Sequence, residues 1–189
     1  MACTLIIGIG NPLRGDDGLG WRVVEILRQH GSIAETPAVR PDRAPFDTIT
    51  CHQLTPELAE KVACATRVIF IDTCVGHPPG KVRVNRLTDV EAGLVPAHGT
   101  REGHHYISRS DLLLTHHLDP PGLLEYCRVL YGTWPDTWTI SMTGADFGYS
   151  ESLSAPVESQ LPELVNVVIQ VVRQAAASIE EEIEVRSNA

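Results

Sequence analysis

Residues 5–9 form a short apolar run that opens directly into GIGNPLRGDDGLGW, and this junction constrains the fold more than any other feature of the chain. A buried strand ending in Gly10-Asn11-Pro12 and followed by the carboxylates Asp16 and Asp17 delivers acidic groups to its own carboxyl end. Open α/β sheets bind their ligands there. The glycines superficially suggest a dinucleotide-binding turn. Two adjacent carboxylates would repel a pyrophosphate at the helix N-terminus, however, and the second strand ends in His52 and Gln53 instead of the acid that holds a ribose. Carboxylates at this point suit a cation.

The rest of the chain predicts an α/β architecture. Helical spacing predicts a helix from Leu19 to Gln29, closed by Gly31, and a short strand over Thr48 to Cys51. Thr55 and Pro56 suit the cap and first position of a helix running to about Ala65. RVIFIDT, Arg67 to Thr73, is an apolar strand ending in an acid, and Lys81 to Leu87 alternates as a strand nearer an edge. Asp119 caps a helix with Pro120 and Pro121 in its first turn, running to Tyr131; Trp138 to Met142 is the last strand, and Val157 to about Glu182 a long final helix. The order β-α-β-α-β-β-α-β-α predicts a three-layer fold, with a mostly parallel central sheet of about five strands and helices on both faces. With 189 residues, no internal repeat and no linker, one domain over 1–189 is expected.

A net charge of −9 argues against a nucleic-acid partner. No apolar run approaches the ~20 residues that span a bilayer, and MACTLIIG reads as a strand without a basic leader, so a cytoplasmic protein without membrane contact is expected. Five scattered cysteines without CxxC spacing read as reduced thiols. Cys51 beside His52 fits a nucleophile–base pair poorly, because neighbours on a strand point to opposite faces.

Asp17 after the first strand, Asp72 after the third and His116 before the helix at 120 form a mixed oxygen and nitrogen set suited to a borderline divalent cation such as nickel or zinc. Each also has a plainer reading: Asp16 or Asp17 as a helix cap, Asp72 as a turn acid, His116 as a surface residue.

At GIGNPLRGDDGLG, VIFIDT, THHLDPPGLL and GYSESLSAPV the chain resembles the hydrogenase maturation endopeptidases, which trim the C-terminus of the large subunit of [NiFe] hydrogenases. HQLTPELAE, residues 52–60, is similar to the subgroup serving bidirectional, NAD(P)-linked hydrogenases; other members carry an Asp-Gly-Gly turn there. The resemblance implies that Asp17, Asp72 and His116 are catalytic and contact the metal. It leaves Asp16 to the turn, with a milder effect on substitution, and His117 as the competing histidine. His52 and Gln53 would select the substrate. The resemblance further implies that nickel is carried by the precursor, that other divalent cations occupy the site in vitro, and that cleavage follows a basic residue near the precursor's C-terminal metal-binding cysteines. His98, His104 and His105 match nothing. The competing readings are a non-enzymatic nickel-binding maturation chaperone and a small-molecule metallohydrolase.

Overall fold

The computed structural model describes residues 3–29, 46–88 and 118–187, with side chains to residue 174. Five strands, β1 (Thr4–Ile9), β2 (Phe46–Cys51), β3 (Arg67–Val75), β4 (Val82–Leu87) and β5 (Asp136–Gly144), form one sheet in the order β2-β1-β3-β5-β4. All neighbouring strands are parallel except β4, which runs antiparallel to β5 at the sheet's edge.

Strands covered on both faces carry continuous apolar runs, and Val68-Ile69-Phe70-Ile71 of β3 is buried throughout. Alternate residues feed two cores. On one face Ile6, Ile69, Ile71 and Met142 pack against Val23 and Leu27 of α1 (Leu19–Gln29) and Leu164 and Val168 of α4 (Ala155–Ser187). On the other, Leu5, Ile7, Val68 and Phe70 meet Val62 of α2 (Ala59–Ala63) and Leu123, Leu124 and Cys127 of α3 (Pro120–Tyr131). Helices therefore cover both faces, as the element order requires. At the opposite end of the sheet from the strand-end loops, Asp136 ties three strands together, its carboxylate contacting Arg67 at 2.6 Å and Arg86 at 2.8 Å.

The elements differ from expectation mainly at their ends. β2 starts two residues earlier and β5 extends from Asp136 to Gly144, because pairing with β1 and β3 continues past the apolar residues. The helix expected from Thr55 splits into a 3-10 turn, Pro56–Leu58, and the five-residue α2; Thr55 occupies the extended cap position without a side-chain cap bond. Asp119 caps α3 as expected, accepting a hydrogen bond from the Gly122 amide at 2.8 Å. Gly31 lies outside the described residues. Among the described residues, no helix is long and apolar enough to cross a membrane.

Two glycines set the approach of α1 to the sheet. A Cβ on Gly8 would collide with the Gly20 carbonyl, and one on Gly10, which has φ of +124°, would collide with the Asp17 carbonyl. The turn bearing the two carboxylates is thus pressed directly onto the end of β1.

Candidate functional site

Between β1 and α1 the chain makes a 3-10 turn, Gly15–Gly18, after the Asn11-Pro12 step. The Asn11 side chain accepts from the Leu13 amide at 3.0 Å, and the Asn11 amide donates to Asp17 Oδ2 at 2.9 Å. Asp17 is therefore held over the carboxyl end of β1.

Asp72 lies in the second half of β3, the strand beside β1, one residue past their shared pairing and in register with Ser141 of β5. Its Oδ1 accepts from the Thr73 amide at 2.7 Å. Burial pushes its carboxyl up to about 6; the Thr73 amide pulls the other way, and the negative charge of Asp17 pushes it up further. The Asp17 charge thus reaches Asp72 across the space at the carboxyl ends of β1 and β3, as the smallest of the three influences.

Asp16 differs from its neighbour. Fully buried, it aims away from that space into the segment between β5 and α4. Its Oδ2 accepts from the amides of Ala145 at 2.7 Å and Asp146 at 2.9 Å and from the Ser154 hydroxyl at 2.8 Å, while Oδ1 accepts from the Ser154 amide at 2.7 Å. Burial alone would raise this carboxyl, but these donors outweigh it and hold the group below the ordinary value. The adjacent acids thus divide: Asp17 faces the strand ends and Asp16 anchors a loop. Sequence reasoning left Asp16 to the turn and missed this anchor, whose partners stand up to 138 residues away.

Beside Asp72, the Cys51 thiol is pushed up to about 11, by burial first and the Asp72 charge second. It stays protonated at neutral pH, which argues against a nucleophilic role. The Cys51 carbonyl accepts from the Trp21 indole at 3.2 Å. Trp21 also meets the His52 ring edge-on, with centroids 5.3 Å apart. His52 and Gln53 are exposed just beyond β2, at the same end of the sheet as the two acids.

His116 and His117 lie outside the described residues, as do His98, His104 and His105. Leu118 forms an antiparallel bridge with Leu54, two residues beyond His52. Among the described residues, no three metal-ligating side chains come together. An open groove of about 680 Å³ runs past Trp21, Gly18 and Thr50 towards Ser152 and Leu153; neither Asp17 nor Asp72 lines it.

The backbone is shared with hydrogenase maturation proteases of known structure. The maturating endopeptidase HybD from E. coli is 21% identical, with 93% of this chain and 94% of that one covered at a TM-score of 0.64. The maturation protease HycI from Thermococcus kodakarensis is 20% identical, with 91% and 93% covered and a TM-score of 0.61. The hydrogenase 2 maturation peptidase of a Thaumarchaeota archaeon is 25% identical, with 89% and 97% covered and a TM-score of 0.56. No protein-family profile and no curated protein matches the sequence. The fold over nearly the whole chain is that of these proteases.

Proposed function

We propose that this protein is an endopeptidase of hydrogenase maturation, removing a C-terminal peptide from the nickel-loaded precursor of a [NiFe] hydrogenase large subunit. The observation that carries the reading is the pairing of Asp17 and Asp72 over the carboxyl ends of two adjacent parallel strands, each acid held by a backbone amide and coupled through charge. The shared fold supports the same class.

In this reading the nickel belongs to the substrate. An acidic cleft that is repulsive when empty accepts a precursor whose cation balances the two charges, so cleavage follows metal loading. The metal supplies a positive charge that polarises the scissile carbonyl. The chain's part is to hold Asp17 and Asp72 in place, with His116 as the third metal contact. Exposed beside the acids, His52 and Gln53 meet the precursor and select it; the HQL sequence at 52–54 favours one from a bidirectional, NAD(P)-linked hydrogenase.

The test is incubation with nickel-loaded and nickel-free large-subunit precursors, followed by mass spectrometry. Release of a C-terminal peptide from the loaded form alone is expected. Nickel transfer without cleavage would replace the reading with a chaperone. Hydrolysis of small esters by a zinc-retaining, chelator-sensitive protein would replace it with a metallohydrolase.

A further inference from the structure

The hydrogen-bonded ladder between β1 and β3 ends at Gly8 and Ile71, one residue short of Asp72. Beyond it, sheet pairing between these strands no longer fixes how far the Asp17 turn stands from Asp72. One side chain spans the interval. The Thr73 hydroxyl donates to the Asp16 carbonyl at 2.5 Å, and that carbonyl belongs to the peptide unit leading into Asp17. The Thr73 amide donates to the Asp72 carboxylate at 2.7 Å. A single residue therefore grips both acid-bearing segments, the first by its side chain and the second by its backbone.

Thr73 is itself held in place. Its γ-methyl group packs where residue 144 has no side chain, and a Cβ on Gly144 would lie 2.9 Å from that methyl and 3.1 Å from the Asp16 Cβ. With the methyl seated against Gly144, the hydroxyl points at Asp16. Asp16 is fixed from its other side by its backbone amide, which donates a hydrogen bond to the Asp146 carbonyl at 2.9 Å, and by its carboxylate, which accepts from the amides of Ala145, Asp146 and Ser154.

From this geometry we infer that Thr73 is a positioning residue for the cation contact, setting the separation and orientation of Asp17 and Asp72. The inference rests on the proposed function, since it concerns the same pair of acids. Two carboxylates share a small divalent cation only when each oxygen is placed within about half an ångström of its coordinating position. Loss of the tether leaves each acid in its own segment but releases their mutual placement.

The experiment is calorimetric titration of the purified chain with Ni²⁺ alone, for wild type, Thr73→Val, Thr73→Ser and Asp17→Asn, with thermal melting of each to establish that binding is read on folded protein. Valine keeps the shape and removes the donor, whereas serine keeps the donor. The expected result is a Kd raised about 10- to 100-fold in Thr73→Val, as for other partners that orient metal-binding groups, with Thr73→Ser, which keeps the donor but not the methyl that seats it, weakened distinctly less. Should Thr73→Val fail to fold, Thr73→Ala makes the same comparison with serine. Unchanged affinity in the hydroxyl-free variant, or equal weakening in both variants, would overturn the positioning role. Wild type binding Ni²⁺ no better than Asp17→Asn would instead overturn the cation-docking reading, and this inference with it.

Discussion

Ser154 grips both carboxylate oxygens of Asp16, its amide on Oδ1 at 2.7 Å and its hydroxyl on Oδ2 at 2.8 Å. The contact joins the turn after the first strand to the residue before the last helix. It therefore holds the 145–154 loop against the turn that carries Asp17.

Asp16→Asn is expected to be a stability mutation. An amide nitrogen in place of one carboxylate oxygen would face the donors of Ala145, Asp146 or Ser154, leaving buried groups unpaired. The cost is about 3 kcal/mol, which lowers Tm by roughly 6–12 °C in a chain of this size. Thermal melting measures it. A drop of less than about 2 °C would show that the loop does not depend on this anchor.

Asp17→Asn should do the reverse. The asparagine carbonyl can still accept from the Asn11 amide, so the turn survives and Tm stays within about 3 °C, while the charge that faces the cation is lost. Peptide release from a nickel-loaded precursor is expected to fall by at least about 100-fold. Retained processing in Asp17→Asn would remove this acid from the site.

Asp72 makes a pH prediction with a definite sign. Its carboxyl is raised from 3.8 to about 6 in the folded chain, by burial first and then by Asp17 against the pull of the Thr73 amide. The folded state thus binds this proton more tightly than the unfolded one, and stability falls as pH rises from about 4 to about 6. Asp16 and Asp136, both lowered, act in the opposite direction below that window. Asp72→Asn removes the charge and should stabilise the fold at pH 7.5 by on the order of 2 kcal/mol, with little gain at pH 4.5, while abolishing processing. Urea unfolding at the two pH values gives the comparison; an equal effect at both would mean that Asp72 is not held protonated by its surroundings.

Most of the fold was legible because its signals are local. The run Val68 to Ile71 must be buried on both faces, and Asp119 with Pro120 starts a helix by hydrogen bonding and backbone geometry alone. That Asp17 and Asp72 stand at the same end of the sheet was also legible, since parallel strands bring their carboxyl ends together. Asp16 was not. Its role depends on donors from residues 145, 146 and 154, and no spacing within the GDDG turn marks which carboxylate will turn inward. Thr73 escaped for the same reason, because its partner stands 57 residues away.

The two histidines before Leu118 are separable by substitution. His116→Ala is expected to abolish nickel-dependent cleavage, whereas His117→Ala should keep much of it, because adjacent residues entering a helix do not easily face one cation together. Both variants should melt like the wild type. A reversed pattern of processing would transfer the metal contact to His117, and full activity in both would leave Asp17 and Asp72 without a histidine partner.

Substrate choice is expected to reside in His52 and Gln53. They follow β2 at the end of the sheet that also carries Asp17 and Asp72, and both are exposed. The edge-on contact with Trp21 at 5.3 Å fixes where the His52 ring stands, so a precursor peptide crossing the strand ends meets a preplaced imidazole instead of a mobile one. Discrimination between precursors is a difference of two binding energies, and a preplaced polar group favours one partner while leaving unmatched polar atoms against another. Replacing His52-Gln53 by Asp-Gly should therefore shift the ratio of kcat/KM between a bidirectional-hydrogenase precursor and one from another class by about tenfold or more, with the rate on the better substrate changed much less. Trp21→Leu, which frees the ring while leaving its chemistry intact, should weaken the same preference part of the way. If the double substitution lowers both rates equally and leaves their ratio unchanged, the pair does not select the precursor.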